Sequence, residues 1–159
     1  MAVGDKGVEF TRYEGAALAA WLEESTAAYV EARVAAGDSE EVARTNAELQ
    51  MAAVAPGGEL SPEHIAGALR VDGEPVGHLW LGPRDHGKRE WYVYNVEIVA
   101  SRRGQGLGRA AMHVADDIAR AHGARAIALN VFANNSVAHN LYRSLGYEES
   151  AVWMGKDLQ

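Results

Sequence analysis

Apolar periodicity and residues typical of helix ends predict four helices along the chain. The clearest apolar stripe runs from Leu107 to Ile118 at three- and four-residue spacing. The first predicted helix has a stripe from Leu18 to Ala32 and ends at Gly37, and the second begins with a capping box of Asp38 and Glu41 and runs to about Ala53. The third begins at Leu107 and ends at Gly123, and the fourth is a short helix within 134–146.

Runs of β-branched and aromatic residues, bounded by glycine, proline and polar turns, predict the strands. They span 8–13, 64–71, 76–82, 90–100 and 126–132, with one or two more within 147–158. The D-G turn at 72–73 is typical of a hairpin between the second and third strands. The run at 126–132 (AIALNVF) is apolar enough to predict burial on both faces.

The order of these elements predicts one domain of the α+β (mixed α/β) class over 1–159, with its core at about 8–157. A strand and two helices come first, an antiparallel meander follows, and strands then alternate with helices. A chain of 159 residues has the length of a single domain with a sizeable core.

Composition and charge exclude several classes of function. The formal net charge is −7, which disfavours nucleic acid as a partner. The chain contains no cysteine, so disulfides, thiolate metal ligands and cysteine nucleophiles are excluded. The six histidines show no metal-ligand spacing, and no metal site is predicted. Without a long apolar run or a hydrophobic signal region, a cytoplasmic protein that does not bind membranes is expected.

The segment 101–111 (SRRGQGLGRAA) carries the strongest functional signal. Its glycines let the backbone approach a ligand closely, and its arginines favour an anionic one. A P-loop requires Gly-Lys-Ser/Thr, whereas an arginine and an alanine follow Gly108. A dinucleotide fingerprint fits 106–111, but it lies behind a meander, and the next strand has Asn130 where an acidic residue should meet the ribose. The third candidate is the pyrophosphate of coenzyme A, held by backbone N–H groups where the helix starts.

Two motifs in the second half of the chain resemble the GNAT family of N-acetyltransferases. Arg/Gln-x-x-Gly-x-Gly/Ala after the fourth strand is present at 103–108 (RGQGLG). Asn-x-x-Ala, then a tyrosine, then Gly-Tyr/Phe is present at 135–138 (NSVA), Tyr142 and 146–147 (GY). The spacing between the motifs also matches, and the likeness covers about 8–157. It implies a GNAT-like domain whose mostly antiparallel sheet of six to seven strands splays between strands 4 and 5, with about four helices.

The resemblance also implies which residues hold acetyl-CoA. In the family, the pantetheine arm lies in the gap beside strand 4, whose free backbone groups here belong to Ile98, Val99 and Ala100; an N–H among them would be the oxyanion donor. Asn130 would lie at the mouth of the opposite wall, and Asn135 would contact pantetheine or simply cap the last helix. The other predicted contacts are Arg103, Gly104, Gln105, Gly106, Leu107, Gly108, Arg109 and Tyr142.

Tyr142 and Glu97 are the candidate catalytic residues. With an ordinary pKa near 10, the tyrosine keeps its proton at neutral pH and can share it with a thiolate, although a core aromatic is the alternative. Glu97, on one strand face with Val93, Asn95 and Val99, is the candidate base. A buried carboxylate needs a role or a partner, so a structural acid paired with an arginine is equally compatible. Relatives often have Asp where this chain has Asn95, which weakens a mechanism with two carboxylates.

The function predicted from the sequence is acetyl transfer from acetyl-CoA to a primary amine, by direct attack in a ternary complex. The alternatives are an acyl-CoA-binding regulatory module without catalysis and a transferase for another acyl group. The acceptor is a small amine or an amine of a peptide or protein. The sequence does not give the oligomeric state, and the resemblance is compatible with a homodimer because family members often dimerise. Strand aromatics are expected mostly in the core, with some at an acceptor pocket: Trp80, Trp91, Tyr92, Tyr94 and Trp153.

Overall fold

Five strands and four helices make up the part of the chain that the computed structural model describes, residues 7–85, 87, 89–152, 154–156 and 158. The strands are β1 (Val8–Arg12), β2 (Ile65–Val71), β3 (Glu74–Asp85), β4 (Glu90–Ile98) and β5 (Ala126–Leu129). The helices are α1 (Gly15–Ala35), α2 (Glu40–Val54), α3 (Leu107–Ala121) and α4 (Ser136–Ser144). Among these described residues, none of the helices combines the length and the apolar character that crossing a membrane requires.

The strands form one sheet in the order β1-β2-β3-β4-β5. The first four are antiparallel neighbours, and β5 runs parallel to β4. The α+β class is therefore confirmed, with five strands in the described residues in place of six to seven. The predicted closing strand within 147–158 is absent from the described residues there, which leave Val152 and Met154 exposed, and Trp153 lies outside them. The strand β5 is four residues long and offers little edge for a further partner.

The sheet separates two apolar cores. Strand residues alternate between its faces, so Leu79 and Leu81 face one core while Trp80 faces the other. The first core packs against α3, where alanines such as Ala111 and Ala115 let the helix approach the sheet closely. The second packs against α1 and α2. Two helical layers thus flank the sheet.

Two local predictions need correction. The side chain that caps α2 is Ser39, whose Oγ accepts from the Val42 N–H, whereas Asp38 forms an ion pair with Arg33. Both residue types are good caps, so the sequence alone did not separate two neighbours. The strand β5 was expected to be buried on both faces, but it is exposed to partly buried, because it lies at the edge of the sheet in the described residues.

A β-bulge in β4 changes which side chains share a face. Asn95 lies opposite Trp80 and Val93 lies opposite Leu81, so Tyr94 is an extra residue in the strand. Beyond the bulge, Asn95 turns to the α1 and α2 side, while Val93 belongs to the α3 core. The prediction that Val93 shares a face with Asn95 is wrong, since the alternation is broken between them.

Candidate active site

A cleft opens where β4 and β5 separate. The two strands pair only along Glu90–Val93 and Ala126–Leu129, and β4 then continues to Ile98 paired with β3 but not with β5. The cleft has a volume of about 780 Å³ and is lined from both sides of this gap, by β4 and by the chain after Leu129. The splay expected between strands 4 and 5 is therefore present.

Backbone groups of β4 face this gap. The Val99 N–H donates to the Val76 carbonyl at 2.9 Å, so it is directed toward β3 and is already satisfied. Because successive N–H groups of a strand point to opposite sides, those of Ile98 and Val96 point away from β3. Of the predicted oxyanion donors, Ile98 has the suitable direction and Val99 does not. The Val96 N–H, which the sequence did not single out, shares this direction.

The glycine loop ends at the N-terminus of α3. Gly104 and Gly106 have φ values of 73° and 80°, the left-handed conformation that glycine adopts without strain. Gly106 is the N-cap of α3, and the N–H groups of the first turn, from Leu107 to Arg109, have no acceptor within the helix. A partial positive charge accumulates at this end. The loop has the local geometry of an anion site.

The arginines of the loop are held by protein groups. Arg103 donates from Nε to the Ile98 carbonyl at 2.9 Å and contacts the Glu97 carboxylate at 3.5 Å. Arg109 donates to Ser144 Oγ at 2.7 Å. Arg103 therefore lies against the end of β4, and Arg109 ties α3 to α4.

The cleft brings together only some of the predicted residues. Those that line it are Glu97, Ile98, Arg103, Gly108, Asn130, Asn135 and Tyr142. The predicted residues outside its lining are Val99, Ala100, Gly104, Gln105, Gly106, Leu107 and Arg109. Leu107 places its side chain in the core, so only its backbone faces the loop. A Cβ at Gly108 would lie 3.2 Å from Leu141 Cδ2, so a small residue suits this wall.

Tyr142 is half-buried on α4, with its ring 5.7 Å from that of Tyr147. Burial raises the pKa of Tyr142 above 10, so its hydroxyl stays protonated at neutral pH. Burial alone accounts for this shift, with no contribution from a hydrogen bond among the described residues, and the Tyr142 ring packs against the core. Asn135 caps α4, its Oδ1 accepting from the Ala138 N–H at 3.2 Å. The Asn135 side chain is thus engaged in the cap role that its motif position also allowed.

Glu97 and Asn95 differ from what a regular strand would give. The Glu97 side chain is 53% exposed and pairs with Arg103, so the assumption that it is buried is wrong. Asn95 Oδ1 is buried without a hydrogen-bond partner in the described structure, and its Nδ2 lies 3.5 Å from Ser25 Oγ. The β-bulge turns both side chains toward α1 and α2 and into the lining of the cleft.

The resemblance implies that the first two helices shape the acceptor site, but the sequence did not assign individual residues of α1 and α2 to it. Their lining residues include Ser25, Thr26, Tyr29, Ala47, Gln50 and Met51, which we call the helical wall. The available signal was a serine at position 25 within the apolar stripe of the first helix. Among the described residues, no cluster of three or more His, Asp or Glu side chains is arranged to hold a metal ion.

Comparisons with known proteins agree on one family. Residues 18–147 match the acetyltransferase (GNAT) family. YycN, an uncharacterised N-acetyltransferase of Bacillus subtilis (strain 168), is 31% identical over 141 residues, which are 87% of this chain and 90% of YycN. YdgE, another uncharacterised N-acetyltransferase of the same organism, is 36% identical over 105 residues, 65% of this chain and 67% of YdgE.

Solved structures show the same fold. The crystal structure of Bacillus subtilis YycN has a TM-score of 0.84 at 29% identity, over 96% of this chain and 99% of that one. AAC(6')-Iy in complex with a bisubstrate analogue that contains coenzyme A has a TM-score of 0.57 at 12% identity, over 96% of this chain and 98% of that one. At that identity, the second likeness concerns the fold alone.

Proposed function

Because this acyltransferase belongs to the acetyltransferase (GNAT) family, we propose that it transfers the acetyl group of acetyl-CoA to a primary amine by direct attack in a ternary complex. One observation carries the proposal: a single cleft is lined by Ile98, whose N–H points away from β3, by Tyr142 and by the helical wall. Donor and acceptor can therefore meet in one cavity without a covalent enzyme intermediate. The absence of cysteine is consistent with direct attack.

The donor end lies where β4 leaves β5. The free N–H groups at the start of α3 and the nearby arginines suit the pyrophosphate of coenzyme A. The backbone groups of Val96 and Ile98 suit the amides of pantetheine, which would add to the sheet as a further strand does. AAC(6')-Iy has the same fold and was solved with a bisubstrate analogue that contains coenzyme A, which supports coenzyme A as the carrier of the acyl group.

The transfer needs a hydrogen-bond donor to the thioester carbonyl oxygen, a general acid and a general base. The Ile98 N–H stabilises the oxyanion while the amine nitrogen forms its bond to the acetyl carbon. The carbon–sulfur bond then breaks, and Tyr142 gives its proton to the departing thiolate. Glu97 takes the proton that the amine must lose. Its exposed position lets that proton pass on to water, and Arg103 holds the carboxylate one residue from Ile98.

Thiol release from acetyl-CoA tests the proposal directly. A colorimetric thiol reagent is suitable because the protein contributes no thiol of its own. We expect release only when an amine acceptor is present, and acetylated amine as the product in mass spectrometry. Coenzyme A binding in calorimetry without turnover on any amine would contradict the proposal, and faster turnover with succinyl-CoA would correct the acyl group.

A further inference from the structure

The helical wall of the cleft carries no charge. No Asp, Glu, Lys or Arg of α1 or α2 is among the described residues that line it. The charged side chains in the lining are Glu97 and Arg103, which pair with each other at 3.5 Å. Among the described residues, the acceptor side therefore holds a single carboxylate, and that carboxylate lies beside Ile98.

This neutrality contrasts with the rest of the two helices. The formal net charge of the chain is −7, and both helices are rich in glutamate. These glutamates are all exposed and lie outside the cleft: Glu23, Glu24, Glu31, Glu40, Glu41 and Glu48. An acceptor with several positive charges would need carboxylates in the cleft itself, because burying an unpaired ammonium group is costly.

The lining suits an apolar body instead. Trp80 and Tyr94 stack with ring centroids 4.9 Å apart and both line the cleft, with Tyr29 and Met51 contributed by the helices. Aromatic faces and a flexible thioether are good contacts for apolar or aromatic groups. Asn95 adds a buried acceptor oxygen without a partner in the described structure, on the same side of β4 as Glu97.

We propose that the acceptor is a small monoamine, with its single amino group on an apolar or aromatic body. The amino group lies toward Glu97 and Asn95, and the body lies against Tyr29, Met51 and Tyr94. This inference rests on the proposed acetyl transfer and adds the class of acceptor to it. Polyamines, aminoglycosides and lysine side chains of peptides are the competing classes.

A matched pair of amines tests the inference. The diamine 4-(aminomethyl)benzylamine differs from 4-methylbenzylamine by one further amino group on the same skeleton. We expect kcat/KM for the monoamine to exceed that for the diamine at least tenfold, with less turnover still for spermidine, kanamycin and a lysine-containing peptide. A kcat/KM for the diamine, spermidine, kanamycin or the peptide that is higher than the kcat/KM for the monoamine would overturn the inference while supporting acetyl transfer. Thiol release with none of them, despite coenzyme A binding, would overturn both.

A charge placed in the helical wall gives an independent test. Gln50→Glu is nearly isosteric and adds one carboxylate to the lining, whereas Thr45→Glu adds the same charge at an exposed site of α2 outside it. We expect Gln50→Glu to raise the diamine-to-monoamine ratio of kcat/KM at least fivefold and Thr45→Glu to leave it unchanged. Equal ratios in both variants, with unchanged melting temperatures, would show that the wall does not contact the acceptor.

Discussion

Replacing Tyr142 with phenylalanine tests the proposed general acid. The shift in the Tyr142 pKa has burial as its one cause and no hydrogen-bond contribution among the described residues, so removing the hydroxyl breaks no hydrogen bond there. The ring, which packs against the core, is retained. We therefore expect kcat to fall while the melting temperature stays within about 1 °C of the parent, because the packed ring is kept and no hydrogen bond is lost.

The size of the loss follows from the leaving group. A general acid contributes about 10²- to 10⁴-fold to a rate. We expect about 10²-fold for Tyr142→Phe, because a thiol with an ordinary pKa near 8.5 leaves fairly well without a proton. That loss corresponds to about 2.7 kcal/mol of transition-state stabilisation. The affinity for coenzyme A should change less than threefold.

Tyr147 supplies the matched control. Its ring lies 5.7 Å from that of Tyr142, but its hydroxyl is buried without a described partner and lies outside the lining of the cleft. Tyr147→Phe removes an unsatisfied buried group, so we expect unchanged kcat and a stability gain of about 1 kcal/mol. Burial raises the pKa of Tyr147, and the Asp116 carboxylate raises it further. The pKa of Tyr147 is thus higher in the folded protein than the unfolded value of 10, so its contribution to stability is present below pH 10 and lost above it. Tyr147→Phe should therefore reduce the loss of stability at alkaline pH.

Steady-state thiol release and calorimetric coenzyme A binding, measured on both variants, decide the matter. A kcat for Tyr142→Phe equal to that of the parent, with unchanged coenzyme A affinity, would refute the assignment of Tyr142 as the acid. Equal losses in both variants would point to a packing defect shared by the two rings.

Three further perturbations test the base, the buried histidine and the strand beneath the gap. Glu97→Gln should flatten the acidic limb of the kcat/KM profile with pH while Arg103→Gln retains the limb, and an unaltered profile in Glu97→Gln would remove Glu97 from the mechanism. Burial lowers the pKa of His64 below its ordinary 6.5. Its contribution to stability is therefore present above pH 6.5 and lost as pH falls through the folded pKa. Between pH 7.5 and 5, the melting temperature of His64→Gln should fall less than that of the parent. A Cβ at Gly77 would lie 2.0 Å from the Glu97 carbonyl oxygen, so Gly77→Ala should destabilise the protein by about 1–3 kcal/mol in urea unfolding and lower kcat, because β4 must shift at the cleft.

Local sequence rules predicted the elements because their signals lie within single segments. The periodicity of the stripe from Leu107 to Ile118 itself marks the face of the helix that packs against the core, and α3 runs over Leu107–Ala121. The glycines at 104 and 106 predicted a backbone that side chains do not obstruct, and both adopt the positive φ that glycine allows. Both features were therefore readable without knowledge of the tertiary structure.

The errors arise where a neighbour decides the outcome. The bulge at Tyr94 depends on how β3 pairs with β4, so it cannot be predicted from the residue pattern of β4 alone. An apolar run such as 126–129 predicts burial only if strands flank it on both sides, yet β5 has one described neighbour. The pairing of Glu97 depends on Arg103, which follows the end of the strand and contacts the carboxylate at 3.5 Å.

The two halves of the cleft also differ in whether a single segment or the packing of neighbouring elements determines them. Its proposed donor half is built from backbone, namely the N–H groups of Ile98 and of the first turn of α3. Backbone sites require glycine, a strand end and a helix start in fixed order, so they leave a sequence motif. The acceptor half is built from side chains of the helical wall, which reach the cleft only because α1 and α2 pack on the sheet. Such side chains can vary without disturbing the fold, and acceptor choice should therefore change by substitution at positions such as Gln50 while coenzyme A affinity stays constant.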